Sequence, residues 1–162
     1  MTTFYAQPYS LEHTGFYFDS LEQYETGMQQ LEERGCEEAE IQFIDGEDHL
    51  AELARAADIG QGGIALWFEQ LEDLDETAAT LLRFLLDDLG YGLSEALDRY
   101  DEVCLYEGKA SDYAYELYEA SYDIPEHLQL YIDYEAIARD MKINGDIAEL
   151  RHDLLVTNAN DF

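Results

Sequence analysis

The chain has 162 residues, and its 38 Asp and Glu against 8 Lys and Arg give a formal net charge of −30 at pH 7. Self-repulsion of this size opposes folding, but 47% apolar and 13% aromatic residues supply enough apolar surface for a core and exclude a disordered chain. The charge also disfavours direct binding to nucleic acid or to an anionic membrane, and it predicts a basic partner.

Residues 1–60 are predicted to form a small α/β lobe. Ser20 and Gln23 have the form of a capping box at the start of its first helix, and Gly35 can end that helix. The strands are dense in aromatic and β-branched residues or alternate apolar and polar positions. The predicted order is strand, strand, helix, strand, helix, at Thr3–Gln7, Thr14–Phe18, Leu21–Leu31, Glu40–Asp45 and Asp48–Ala57.

Residues 61–101 are predicted to form a helical middle lobe. The glycines of the 60–63 segment mark a candidate flexible junction in front of it. The segments that follow are rich in Leu and Ala at helical spacing and are separated by acidic or glycine-containing turns. The predicted helices are Ile64–Leu71, Asp75–Leu89 and Ser94–Tyr100.

Residues 102–162 are predicted to form a C-terminal α/β lobe. It begins with a strand pattern at Glu102–Tyr106, and a helix follows at Asp112–Tyr122 with Ser111 as its cap. A short helix with Pro125 in its first turn and a helix at Asp133–Lys142 come next. A turn at Asn144-Gly145 precedes strand-forming residues over Ile147–Thr157. The predicted fold class is therefore α+β, an elongated chain of three small lobes.

No pattern of residues predicts catalysis, a cofactor or a metal. The Glu149-x-x-His152 spacing resembles half of a di-iron motif, but the second half is absent. The chain has no GxSxG, Walker A or GxGxxG sequence, and neither cysteine has a nearby histidine to activate it. We therefore predict a protein that is not an enzyme. The histidines are scattered through different predicted elements, at His13, His49, His127 and His152.

The two cysteines and the first residues predict a cytoplasmic protein. Cys36 and Cys104 are too few and too far apart for a disulfide framework. The opening residues lack the basic and apolar regions of a signal peptide, and no apolar run approaches the roughly 20 residues needed to span a bilayer.

The acidic residues show arrangement as well as number. One predicted helix carries Asp112, Glu116, Glu119 and Asp123 at steps of four, three and four, which places them on one face beside a track of tyrosines. Such a face can be a simple solvated surface, but the same density recurs in the middle lobe. In magnitude, 30 excess charges equal the phosphate charge of roughly 15 base pairs. The tyrosines are Tyr115, Tyr118 and Tyr122, and the middle cluster is Glu69, Glu72, Asp73, Asp75 and Glu76.

The segment Ile124–Lys142, IPEHLQLYIDYEAIARDMK, resembles the signature segment of the ArdA antirestriction proteins. The family pattern is a helix-start Pro-Glu, an apolar residue, an aromatic followed by Asp-Tyr, an acid or amide with Ala, and Arg-Asp. Length, acidity and the order of lobes extend the resemblance over most of the chain. The matching residues are Pro125, Glu126, Leu128, Tyr131, Asp133, Tyr134, Glu135, Ala136, Arg139 and Asp140.

The resemblance implies a function. Members of that family are plasmid- and transposon-borne proteins that imitate B-form DNA, form dimers, and occupy the DNA-binding groove of type I restriction-modification enzymes. The resemblance implies that the protein catalyses no reaction. It also implies that the partner is the methyltransferase core of such an enzyme. The expected DNA-mimic surface is Glu69, Glu72, Asp73, Asp75, Glu76, Asp87, Asp88, Asp112, Glu116, Glu119, Asp123, Glu126, Asp133, Glu135 and Asp140. The expected dimer interface, with core packing as the alternative role, is Leu128, Tyr131, Ile132, Tyr134 and Ile137.

Three other functions remain open at this level. The chain could be a mimic that inhibits a different DNA-binding protein. It could be a halophilic domain whose charge maintains hydration in concentrated salt without any mimicry. A carboxylate-based metalloenzyme is the least supported, because Glu149 and His152 are its only foothold.

Overall fold

A computed structural model describes the whole chain, residues 1–162, and divides it into two units, Met1–Asp98 and Arg99–Phe162. Helices and antiparallel strands occur in both units, which confirms the predicted α+β class. The strands are Thr3–Pro8 (β1), Phe16–Phe18 (β2), Ala39–Asp45 (β3), Leu105–Glu107 (β4), Ala148–Arg151 (β5) and Leu154–Val156 (β6). The helices are Leu21–Glu32 (α1), Asp48–Ala56 (α2), Ile64–Leu66 (α3), Glu76–Arg83 (α4), Leu93–Arg99 (α5), Ala110–Ser121 (α6), Glu126–Gln129 (α7) and Tyr134–Asn144 (α8).

The sheet of the first unit has the order β2-β1-β3, with both pairings antiparallel. Alternation along β1 sends Phe4 and Ala6 into the core, while Tyr5 faces the other side and pairs with Tyr17 of β2. The predicted first, second and third strands are therefore confirmed, with ends that differ by one or two residues.

Helix α1 begins and ends where its capping residues predict. The Ser20 hydroxyl accepts a hydrogen bond from the Gln23 amide at 3.4 Å, while the Gln23 side chain accepts from the Asp19 amide at 3.1 Å. In the standard capping box the Gln23 side chain would accept from the amide of the N-cap residue Ser20. Here it accepts from the amide one residue earlier, that of Asp19. Gly35, at φ +86°, turns the chain out of the helix in the left-handed region that glycine adopts freely.

The core of the first unit joins residues from the first two predicted lobes. The ring of Phe4 in β1 lies 5.3 Å from that of Trp67, and the Trp67 Nε1 donates to the Thr2 hydroxyl at 2.9 Å. Gln61, in the glycine-rich segment, donates to the Glu37 carbonyl at 3.1 Å and accepts from the Ala39 amide at 3.0 Å. That segment is a short 3-10 turn tied to the start of β3, and the three-lobe division itself stays a prediction.

The helical middle of the chain is confirmed, with two irregular turns. Helix α3 continues as a π-helical turn over Trp67–Leu71, and α4 continues as a second one over Phe84–Asp88. In each turn, large apolar side chains are fully buried next to exposed acids. Because a π turn is wider than an α turn, it rotates the buried apolar face around the helix axis without ending the helix.

In the second unit, β4, β6 and β5 form an antiparallel sheet, and α6 packs against α8. The strand-forming run at the end of the chain is a hairpin, because Asp153 at φ +60° reverses the chain between β5 and β6. The turn predicted at Asn144-Gly145 is confirmed, since Gly145 ends α8 at φ +79°.

Three local predictions for this unit are wrong. Ser111 does not cap α6, because the helix already begins at Ala110 and its N-cap Lys109 makes no side-chain cap bond. Strand β4 starts only at Leu105, since a 3-10 turn occupies Tyr100–Glu102. Pro125 stands at the N-cap of α7 and not within its first turn. Neither unit holds a helix of the length and apolar character that crossing a membrane requires.

Candidate functional site

Carboxylates cover the surface of both units. None of the 38 Asp and Glu side chains is buried; Asp19, Glu72 and Asp146 are half-buried and the other 35 are exposed. Thr2 is the one buried polar residue. Eight Lys and Arg cannot neutralise this charge, so the negative surface is available to an external partner.

Six of the seven predicted acids in the middle of the chain are exposed. They lie in the π turn after α3, in the loop before α4, at the first residue of α4, and in the π turn after α4. The Asp75 carboxylate also caps α4 by accepting from the Ala78 amide at 2.8 Å, so its negative charge lies at the positive end of that helix. The six are Glu69, Asp73, Asp75, Glu76, Asp87 and Asp88.

Glu72 differs from its neighbours because it holds the N-terminus. Its side chain is 18% exposed and accepts from the Thr2 amide at 2.7 Å and the Thr2 hydroxyl at 3.0 Å, with the Met1 amino group at 3.7 Å. Trp67 donates in turn to that hydroxyl. This chain of bonds gives Glu72 a structural role in the core of the first unit.

Helix α6 presents an acidic stripe on the second unit. Asp112, Glu116 and Glu119 are exposed along it, as predicted from their spacing. The prediction that Asp123 shares this helix face is wrong, because α6 ends at Ser121 and Tyr122 is extended. The Ile-Pro pair that follows disfavours helical backbone and explains the early end.

Glu116 also ties α6 to the sheet. The Tyr106 hydroxyl in β4 donates to the Glu116 carboxylate at 2.8 Å. This hydrogen bond, together with burial and the nearby negative charges, raises the pKa of Tyr106 to about 12. The stripe is therefore fixed to the fold at its middle residue.

Tyrosines pack beside the stripe and link α6 to α8. Tyr134 meets Tyr115 edge-on at 5.2 Å and Tyr118 at 6.5 Å, and Tyr118 lies 5.1 Å from Tyr122. The Tyr134 hydroxyl is buried without a hydrogen-bond partner, and desolvation is the main cause that raises its pKa. Tyr134 thus belongs to the contact between the two helices.

The acids of the signature segment are exposed as well. Asp133 caps α8 by accepting from the Ala136 amide at 2.9 Å. The Asp140 carboxylate lies 4.0 Å from the Arg139 guanidinium, which is a loose surface pair of small energetic value. The acids concerned are Glu126, Asp133, Glu135 and Asp140.

The predicted dimer residues fall into two groups. Leu128 and Tyr131 are 46% and 85% exposed, in and after α7, whereas the remaining three are half-buried. Leu130, which the prediction missed, is 92% exposed between them. An apolar cluster between Pro125 and Asp133 with no predicted core partner was the signal that could have found it. The half-buried residues are Ile132, Tyr134 and Ile137.

The chain has no group of three or more His, Cys, Asp and Glu side chains arranged to hold a metal ion. Glu149 instead accepts from the Lys142 ammonium at 2.7 Å, and this bond holds the Glu149 pKa below its usual range. His152 lies 3.2 Å from the Asp153 carboxylate. Cys36 is buried and Cys104 exposed, both as free thiols.

A known protein family matches most of the chain. The family model described as "Antirestriction protein (ArdA)" matches residues 10–156, a stretch that contains every predicted acid and every predicted interface residue. No individually curated protein matches the chain.

Proposed function

The chain belongs to the ArdA family of antirestriction proteins, and from that membership we propose that it blocks type I restriction-modification enzymes by imitating DNA. The observation that carries the proposal is the exposure of 35 of 38 carboxylates on a chain of net charge −30. A groove that binds DNA is lined by Lys and Arg that contact phosphates. Carboxylates on the surface of the inhibitor compete with DNA phosphates for those Lys and Arg side chains.

The amount of charge suits this role. An excess of 30 charges equals the phosphates of roughly 15 base pairs. One stripe is too sparse by itself, because residues four apart on a helix are spaced by about 6 Å along its axis. Several elements must contribute, and the exposed acids are distributed over α6, α8 and both π turns.

The proposed inhibition is competitive and involves no chemical step. Long-range attraction speeds the encounter with a basic groove, and many weak contacts hold the complex. Each exposed carboxylate contributes little, on the order of 0.2–1 kcal/mol, so no single acid decides the affinity. We propose no cofactor, and a cytoplasmic site of action where the restriction enzyme meets incoming DNA.

We further propose that the protein acts as a homodimer through the apolar surface after Pro125. Large exposed apolar side chains are costly on a charged surface, and Leu128, Leu130 and Tyr131 form a run of them. Pairing two such surfaces buries them and doubles the charge offered to the groove.

The test is competition for a purified type I methyltransferase core between the protein and a labelled duplex that carries the recognition site. We expect displacement of the duplex, no ternary complex, and weaker competition as salt rises. Polyglutamate of matched total charge is the control, and it should compete only at higher concentration. Simultaneous binding of the duplex and the protein would contradict mimicry.

The alternative of a halophilic domain makes the opposite prediction at low salt. If the charge serves only hydration in concentrated salt, the protein should lose its circular dichroism signal on dialysis against low-salt buffer. A DNA mimic should stay folded there and bind basic proteins most tightly.

A further inference from the structure

A cavity of about 350 Å³ in the second unit carries features that the acidic surface does not require. Its walls come from α6, from Met141 of α8, from the loop after α8, and from the last turn of the chain. We call it the Asp146 pocket. The residues that line it include Tyr113, Tyr118, Tyr122, Met141, Asp146 and Asn160.

The carboxylate of this pocket is unusual among the acids of the chain. Asp146 is one of three half-buried acids, and its one side-chain contact is the Asn160 amide at 3.4 Å. Glu72, by contrast, receives two bonds from Thr2 and lies near the terminal amino group. A carboxylate that is partly shielded from water without a cation beside it is less favourable than an exposed one, and a positively charged ligand would relieve that cost.

The aromatic walls favour the same class of ligand. Tyr118 and Tyr122 both line the cavity, and their rings lie 5.1 Å apart with planes tilted by 41°. Ring faces attract cations, and Arg is found on them more often than Lys because its planar, weakly hydrated guanidinium can stack. None of the eight Lys and Arg of the chain lines the pocket.

We propose that the Asp146 pocket accepts an arginine side chain of the partner protein. The guanidinium stacks on Tyr118 or Tyr122 and donates to the Asp146 carboxylate. That the arginine comes from a DNA-binding groove rests on the proposed function, whereas the class of ligand follows from the pocket alone. The volume lies in the range of small-ligand sites.

Such a pocket supplies what a distributed charge surface lacks. Exposed carboxylates attract any basic surface and tolerate sliding, because each contact is weak and undirected. One arginine enclosed by aromatic rings and a carboxylate fixes the register of the complex, as anchor residues do in other interfaces. The pocket is therefore a positioning site for the partner.

The first test uses the full chain and a small probe. We expect Nα-acetyl-arginine methylamide, titrated in about 0.15 M salt to screen exposed charges, to shift the amide resonances of Tyr118, Tyr122 and Asp146 to saturation. The citrulline analogue, of the same shape but uncharged, should bind at least about fivefold more weakly. Equal shifts with both probes, or arginine shifts spread evenly over the acidic surface, would overturn the proposal.

Variants localise the effect. Asp146→Asn keeps the shape and the bond from Asn160, and it should weaken arginine binding about fivefold, while Tyr122→Leu should weaken it about threefold. Asp101→Asn is the matched control, since Asp101 is exposed in the same unit and does not line the pocket. Equal losses in the Asp146 and Asp101 variants would overturn the assignment.

The Asp146→Asn and Asp101→Asn variants also separate the pocket proposal from the mimicry proposal. The measurement is competition with DNA for the purified enzyme. If Asp146→Asn competes with DNA several-fold less well than Asp101→Asn, the pocket receives an arginine of the enzyme. If both variants compete as well as the unchanged protein, the pocket proposal fails and mimicry stands. If the unchanged protein does not compete but still takes up the arginine probe, the proposed target fails and the pocket stands.

Discussion

The two units carry similar charge density but use their aromatic residues differently. The first has 23 acids and 3 bases over 98 residues, and the second has 15 acids and 5 bases over 64. Six of the seven Phe and the one Trp lie in the first unit, whereas eight of the 13 Tyr lie in the second. The two units therefore differ in their aromatic residues and not in the density of their charged residues.

Burial follows the same division. In the first unit Phe4, Phe18, Trp67 and Phe84 are at most 2% exposed, and the ring of Phe4 stacks on Phe18 and meets Trp67 edge-on. In the second unit the buried side chains are aliphatic, and every tyrosine is half-buried or exposed. Tyrosine covers apolar surface while keeping a polar tip in water. We expect the first unit to act mainly as a stable support and the second to carry the contacts that select a partner.

The largest expected effect is on the stability of the first unit. Phe4→Ala removes a ring that contacts four others, Phe18, Phe43, Trp67 and Phe68, and should lower the free energy of unfolding by about 3–5 kcal/mol. Urea denaturation followed by tryptophan fluorescence measures it, because Trp67 lies beside the deleted ring.

Tyr131→Ala is the matched control in the second unit. Tyr131 is 85% exposed in the monomer, so at concentrations below the dimer dissociation constant its removal should change the free energy of unfolding by no more than about 0.5 kcal/mol. If both variants destabilised the protein equally, the aromatic residues of the first unit would not differ from those of the second in their contribution to stability.

The next effect concerns the exposed leucines. Leu130→Asp places a charge in the proposed dimer surface and should raise the dimer dissociation constant at least about tenfold, because two buried leucines are lost per dimer. Sedimentation velocity over a range of concentrations measures it. Leu11, 99% exposed in the first unit, supplies the control: Leu11→Asp makes the same change of charge and should leave association unaltered. Equal loss in both variants would point to repulsion between charged chains as the cause.

Sequence patterns were sufficient for most of the fold because they are local. Strand alternation, the Ser20 cap and the glycines that end α1 and α8 act within a few residues, and each element they predict is present. The misses concern the ends of elements, which local patterns locate less well than the elements themselves. Ser111 is a good cap by type, but α6 starts at Ala110, two residues before the predicted start, with Lys109 at its N-cap.

The candidate site could be predicted only in part, for a physical reason. Exposure of an acid follows from the cost of burying charge, so nearly every predicted acid is at the surface. Glu72 departs from this pattern because a contact 70 residues away, with Thr2, compensates it. Asp146 and Leu130 escaped prediction likewise, since a pocket and an exposed patch depend on which side chains the tertiary fold brings near.

Neutralising acids in each unit tests whether both units contribute charge to the interaction with the enzyme. The triple variant Asp112→Asn, Glu116→Gln, Glu119→Gln in α6 should weaken competition with DNA about tenfold, from three contacts of about 0.5 kcal/mol each. A triple variant of the first unit should lose about as much and should lower the salt dependence equally. Its substitutions are Glu69→Gln, Asp73→Asn and Asp88→Asn.

If only the α6 variant loses affinity, the acids of the first unit face away from the enzyme, and mimicry is confined to the second unit. Circular dichroism at low salt checks that both triple variants remain folded, and each carries three fewer negative charges. A difference between them therefore reports position and not net charge.

The smallest expected effect is a titration within the second unit. Tyr106 donates to the Glu116 carboxylate, which raises its pKa to about 12, against 10.0 for an unperturbed tyrosine. Because the folded-state pKa is the higher one, the stabilisation is complete below about pH 10 and is lost as pH rises from about 10 through 12. Tyrosinate absorbance near 295 nm should show a late-titrating tyrosine that Tyr106→Phe removes. Glu116→Gln should move that titration back towards the ordinary value, while Glu119→Gln, which makes the same change of charge one helical turn away, should not. An equal shift in both variants would assign the raised pKa to the general negative field, in which case the α6 stripe would not be anchored to the sheet by this bond.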